Sequence, residues 1–283
     1  MIPRKFEYYR AKSVEDAIEF LSTHEGAKVI AGGQSLVPLM KLRIVSPAYL
    51  VDIGRIEELR YIRIGDKGEL RIGALTTHAE IEESELIRER WPVLAETAEN
   101  IADVQIRSRG TIGGSLCHAD PAADYPPTLI VLNSEVVIRG KEGRRTVPVE
   151  DFILGPFTTS IEENEILEEV IIPPYNGKAG FTKFARREGD LAVVNAAVLL
   201  KVGNGKVEDI KVAVGGVGPK PIRLKALEDR VKGGVIEEGK LSSAIDEAVK
   251  ELEPPTDVHG TSEYRREVTK VILKRLILDL YRR

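Results

Sequence analysis

RSRGTIGGSLCHADPAADYPP, residues 107–127, is too rich in Gly, Pro and Asp to read as regular structure and too long for an ordinary connection between apolar segments. Long ordered loops of this composition are usually functional. Its centre, Thr111-Ile112-Gly113-Gly114-Ser115, sets a glycine pair between hydroxyls. The same chemistry stands much earlier, where the strand-like run Lys28-Val29-Ile30-Ala31 meets Gly32-Gly33-Gln34-Ser35-Leu36. A turn without Cβ atoms at two successive positions lets backbone N–H groups approach a phosphate, and Gln34 and Ser35 can add hydrogen bonds. Two such turns could clasp the two phosphates of a dinucleotide from opposite sides. Neither fits a Walker loop or a GxGxxG fingerprint, which disfavours a nicotinamide Rossmann domain.

Working outward, Ser13 can cap a helix with Glu15 and Asp16 in its first turn, Val14, Ala17, Ile18 and Leu21 on one face, and Gly26 after its end. Lys28 to Ala31 and Tyr49 to Ile53 are strand-like and so connected that a small parallel sheet is expected. In the next block Leu70 to Ala74 and Val136 to Arg139 read as strands, and His78 to Glu89 and Val93 to Ala102 as helices. After Pro173 and Pro174 the pattern changes. Asn195 to Val202 and Val207 to Val214 flank Asn204-Gly205, a type I′ hairpin signal. Helices are expected over Pro221 to Lys232, Ser242 to Leu252 and Ser262 to Tyr281, the last with Val268, Val271, Ile272, Ile277 and Leu280 as its apolar stripe. The expected division is 1–175, with subdomains 1–55 and 56–175, followed by 176–283.

The chain has 283 residues, with 41 Lys and Arg against 45 Asp and Glu and a net charge of -4. That balance argues against a nucleic-acid footprint. The start lacks the apolar region of a secretory signal, and no window has the length of apolar sequence that a transmembrane segment needs, so a cytoplasmic location is expected. Cys117 is the one cysteine. A cysteine-ligated iron-sulfur cluster therefore belongs on a partner.

AGGQSLVPLMKLR (31–43) and RGTIGGSLCHADPAADYPP together resemble the signature segments of the FAD-binding medium subunits in the xanthine dehydrogenase and carbon monoxide dehydrogenase family of molybdenum hydroxylases. The resemblance extends over essentially the whole chain, including FARREGDLAVVNAAV (184–198). It implies an α+β fold: a vanillyl-alcohol-oxidase-like (PCMH-type) FAD-binding domain of two α+β subdomains, then a C-terminal α+β domain with an antiparallel sheet and helices.

By that resemblance Lys28 to Leu36 wrap the pyrophosphate and nearby flavin atoms of a non-covalent FAD, and Thr111, Gly113, Gly114 and Ser115 close the other side. Ser115 stands where relatives commonly carry Asn, so a hydroxyl replaces an amide. Ile101 matches an apolar position against the cofactor, Asp124 an acidic position at the adenosine portion, Leu167 an apolar position near adenine, and Lys183 a basic residue near the flavin. No residue is assigned as catalytic. The implied partners are an iron-sulfur small subunit, a molybdopterin large subunit and an external electron acceptor. The cysteine-bearing insertion of the benzoyl-CoA reductase type is missing.

Other readings compete at particular residues. His118, Asp120 and Asp124 could be taken for metal ligands, though Asp beside Pro121 has a turn-forming role. Cys117 next to His118 is either a nucleophile or a buried thiol. Gly215 to Lys220 is a bend or a third phosphate cradle. Arg186, Arg187, Glu188 and Asp190 are a solvated cluster or, by the resemblance, neighbours of the flavin ring. At the level of the whole chain, the rivals are a free-standing flavoprotein oxidase and an assembly subunit that has lost FAD.

Overall fold

The Ser13 hydroxyl accepts the Asp16 N–H at 3.1 Å and opens the helix Val14–Thr23, whose Val14, Ala17, Ile18 and Leu21 are buried. In the computed structural model, which describes residues 2–283, this helix packs on a parallel sheet. Tyr49–Asp52 is its central strand, between Ala27–Ile30 and Glu7–Arg10. The third strand, Glu7–Arg10, is an addition to the two expected. Ala27–Ile30 lies at the edge, so the chain can turn away from it at Gly32-Gly33 without breaking the ladder.

A second, five-stranded antiparallel sheet runs in the order Ile62–Ile64, Leu70–Gly73, Ile166–Ile172, Glu135–Gly140, Gly143–Pro148. Its central strand carries an irregularity between Leu167 and Glu169. Helices pack on it around Trp91, whose indole N–H donates to the Pro173 carbonyl at 3.2 Å. The single helix expected over 78–89 is two, His78–Glu83 and Glu85–Arg90. Ser84 is extended there and its hydroxyl accepts from Ile87 N–H, so the side chain caps a new helix where the backbone could have continued the first. The next helix, Pro92–Glu99, also stops short of Ala102, which is left-handed at φ 45°.

Residues 107–127 correct the expectation of an irregular loop. They contain the helix Ile112–His118 and the start of another, Tyr125–Val131. Thr111 supplies the cap of the first by accepting from Gly114 N–H. Pro126 and Pro127 fall in the first turn of the second, where a missing N–H costs nothing.

The C-terminal sheet is antiparallel, in the order Lys178–Phe184, Val194–Gly203, Lys206–Gly215, Ile222–Arg223. Asn204 at φ 51° and Gly205 at φ 73° form the expected hairpin turn. The sheet is covered on both faces, because alternate residues serve two cores: Ala197, Leu199 and Ala213 join the central core, and Ala196, Val198, Leu200, Val212 and Val214 face the last helices. Those helices are Lys225–Val231, Glu238–Lys250 and Ser262–Arg282. The first starts later than expected because Ile222–Arg223 is drawn into the sheet. In the last, Ile272, Leu273, Ile277 and Leu280 are buried but Val271 is 45% exposed, so it stands outside the stripe assigned to it.

Candidate functional site

The first glycine turn presents unused donors. Between Ile30 and the helix Leu36–Lys41, Gly33 takes φ 74° and Ser35 is right-handed. The backbone N–H groups of Gly32, Gly33, Gln34 and Ser35 form no hydrogen bond within the described residues. Unpaired amides in succession around a left-handed glycine make an anion-binding concavity. A Cβ on Gly33 would lie 3.2 Å from Val37 Cγ2 and 3.3 Å from Ile30 Cδ1, so the turn is tight on its inner side. Lys28 and Ser35 are exposed, and Val29, Ile30, Ala31, Gln34 and Leu36 are half-buried along the same rim.

The second turn is chemically different. Ile112 N–H donates to Thr76 O, Gly113 N–H to Ala74 O, Ser115 N–H to Thr111 O, and Gly114 N–H to the Thr111 hydroxyl. Its amides are therefore spent inside the protein, and equal clasping by two sets of free amides does not hold. Gly113 is buried, and it must be glycine because a Cβ there would sit 2.6 Å from that of Ala74. Gly114 is exposed and Ser115 half-buried. This turn offers a bare surface and hydroxyls.

The two turns are in contact. A Cβ on Gly32 would collide with the Arg109 carbonyl, and would lie 3.0 Å from the Gly110 Cα. Gly110 is in turn held by its carbonyl, which accepts from His78 N–H at 3.0 Å. Burial, and the charge of Arg107, push the His78 imidazole down to about 4.

Beyond the helix Ile112–His118, Asp124 and Lys183 form an ion pair at 2.7 Å with side chains 4% and 6% exposed. Asn195 Nδ2 donates to the other Asp124 oxygen at 3.0 Å, and Lys183 also donates to Asn100 O at 2.9 Å. Burial raises the Asp124 pKa, with Lys183 and Asn195 opposing it. Ile101, next to Asn100, is half-buried against the central core. Leu167 is 3% exposed and belongs to that core. Asn100 and Asn195 escaped the sequence reading. The signal for Asn195 was there, an amide inside the apolar run Val193-Val194-Asn195-Ala196-Ala197.

Among the described residues no group of three or more His, Cys, Asp or Glu side chains is placed to hold a metal. The Cys117 thiol is pushed up to about 12 by burial, which disfavours the thiolate, and His118 is lowered by burial. Gly216 is a bend at φ 76°, and its N–H is used by Pro121 O at 2.8 Å. Arg186, Arg187 and Glu188 are exposed, with Arg186 donating to Val258 O.

Two family models match the chain: the FAD binding domain in molybdopterin dehydrogenase over residues 4–175, and the CO dehydrogenase flavoprotein C-terminal domain over 179–280. The glyceraldehyde dehydrogenase medium chain of Sulfolobus acidocaldarius is 38% identical over 96% of this chain and 97% of its own length. The carbon monoxide dehydrogenase medium chain of Hydrogenophaga pseudoflava is 38% identical over 98% and 97%. A structure of carbon monoxide dehydrogenase from that organism, lacking the Mo-pyranopterin moiety of its cofactor, superposes with a TM-score of 0.96 at 38% identity, covering 99% of both chains. Quinoline 2-oxidoreductase from Pseudomonas putida 86 superposes with a TM-score of 0.96 at 34% identity, covering 100% of this chain and 99% of that one. No helix among the described residues is long and apolar enough to cross a membrane.

Proposed function

Because the chain belongs to the family of FAD-binding medium subunits of molybdenum hydroxylases, we propose that it holds FAD between an iron-sulfur subunit and an external electron acceptor in a cytoplasmic complex whose large subunit carries molybdopterin. When bound, FAD supplies the redox chemistry through its isoalloxazine. The chain's own residues bind and orient it. No side chain is required as an acid, a base or a nucleophile.

The observation that carries this reading is the row of unpaired N–H groups from Gly32 to Ser35, which fits a diphosphate that needs donors and little net positive charge. Lys28 to Leu36 would hold the pyrophosphate, with Lys28 the one cation in that segment. Thr111, Gly113, Gly114 and Ser115 would form the facing wall, Gly114 by leaving space and Ser115 by its hydroxyl. Ile101, Leu167 and the Asp124–Lys183 pair would border the nucleotide and flavin beyond it. The units at work are 1–175, in which 1–55 brings the first turn and 56–175 the second, and 176–283.

A single cysteine cannot house an iron-sulfur cluster, which supports placing those centres on a partner. The near-complete coverage of medium chains supports a subunit role over that of a free-standing oxidase with its own substrate domain. Replacing Gly33 with Val, or Gly114 with Val, abolishes flavin content in the assembled complex, measured by absorbance after denaturation. Full flavin content in both variants refutes the assignment.

A further inference from the structure

Residues 119–124, between the helices Ile112–His118 and Tyr125–Val131, lack regular structure and follow directly on the helix that carries the second glycine turn. The Pro121 and Ala123 carbonyls and the Asp124 carboxylate are taken up by residues of the C-terminal sheet and the bend after it. Gly216 N–H reaches Pro121 O at 2.8 Å, and Asn195 Nδ2 reaches Ala123 O at 3.0 Å. Asn195 and Lys183 are direct cross-strand partners, and each holds one oxygen of the Asp124 carboxylate. Lys183 spends a second donor on Asn100 O, beside Ile101.

A fully buried amide in an apolar strand is costly unless its donors are used, and here both the carbonyl and the carboxylate use them. The opposite orientation of the amide would turn its oxygen toward the carboxylate, so the acceptors fix Asn195. Space for it exists because its cross-strand neighbour is Gly215, where a Cβ would collide with Asn195 Oδ1. With both oxygens engaged and the side chain 4% exposed, Asp124 anchors its segment to the C-terminal sheet.

Resting on the flavin reading above, we infer that Asn195 is a positioning residue of the cofactor site: it acts through Asp124 to hold the segment behind the Thr111–Ser115 turn, and so ties flavin retention to the register of the C-terminal sheet.

The test is a double-mutant cycle on the assembled holo-complex, with the FAD dissociation rate as readout. Asn195→Ala raises that rate about tenfold when Asp124 is present, as expected for the loss of a buried hydrogen bond to a charged group. In an Asp124→Ala background the same change has at most about a threefold effect, because only the neutral bond to the Ala123 carbonyl remains to be lost. If Asn195→Ala fails to assemble, Asn195→Ser is carried through the same cycle. An equal effect in both backgrounds, as a merely structural residue gives, overturns the proposal, as does no effect in either. Loss of flavin in Gly33→Val beside an unchanged rate in Asn195→Ala overturns the positioning role alone. Retention of flavin in Gly33→Val overturns the reading beneath it.

Discussion

Gly32 packs so closely on Arg109 that a Cβ at position 32 would overlap the Arg109 carbonyl, which makes these residues the joint between the two glycine turns. The joint explains why a glycine is needed at a position where the backbone is not left-handed. It also makes the first turn's placement depend on a segment much later in the chain.

Gly32→Ala therefore acts at this joint. The collision is with backbone, which cannot swing aside as a side-chain tip can, so the turns must separate. We expect a loss of about 1–3 kcal/mol in stability, typical of overpacking, and of most bound flavin. Gly239→Ala is the control. It lies in the helix Glu238–Lys250 with nothing within 4 Å of a new Cβ, and should stabilise by about 0.5–1 kcal/mol and leave flavin content unchanged. Thermal melts and flavin absorbance check both.

His78 gives a pH dependence of definite sign. Its ordinary pKa of 6.5 falls to about 4 in the folded chain, so between these values the unfolded state binds more protons. Its contribution is complete above pH 6.5, is lost as pH falls through that window, and amounts to at most about 3 kcal/mol. Denaturant unfolding of wild type and His78→Gln across the window should show a shallower pH slope in the variant. Equal slopes would refute the assignment.

Arg265 braces the C-terminal sheet. Its side chain is 4% exposed. It donates to Val193 O and Gly216 O and makes two hydrogen bonds to Asp257, at 2.7 and 2.8 Å. Arg265→Met strands two carbonyls of buried residues and leaves the exposed Asp257 carboxylate to water, and should cost about 1–3 kcal/mol. Arg265→Lys restores only part, since an ammonium cannot span the same acceptors. Denaturant midpoints of the three proteins test the order.

Much of the architecture was legible where local chemistry is decisive. Ser13 and its acidic first turn mark a helix start, and Asn204-Gly205 marks a hairpin because both positions need positive φ. The 107–127 stretch misled for a physical reason. Its glycines and prolines are the residues of loops, yet Gly113 serves close packing on Ala74, and Pro126 and Pro127 sit in a first helical turn. Only a tertiary contact distinguishes those uses. Glu7–Arg10 was missed because a strand of four residues with one partner carries little periodicity.

At the site, the sequence located both glycine turns but could not tell that they differ. Which N–H groups are free depends on acceptors such as Thr76 and Ala74, more than 35 residues away in the chain. Asp124 and Lys183 were visible as matching positions. Their mutual pairing had no local signature, and Asn195 stood out only as an amide in an apolar run, because its partners follow from strand register.

The most direct measurement is hydrogen–deuterium exchange on the assembled complex, FAD-loaded and FAD-stripped, read over residues 28–36. Unpaired amides that meet a phosphate exchange more slowly once FAD is bound, so we expect protection centred on Gly32 to Ser35. Unchanged exchange there, with protection elsewhere in the complex, would contradict the account.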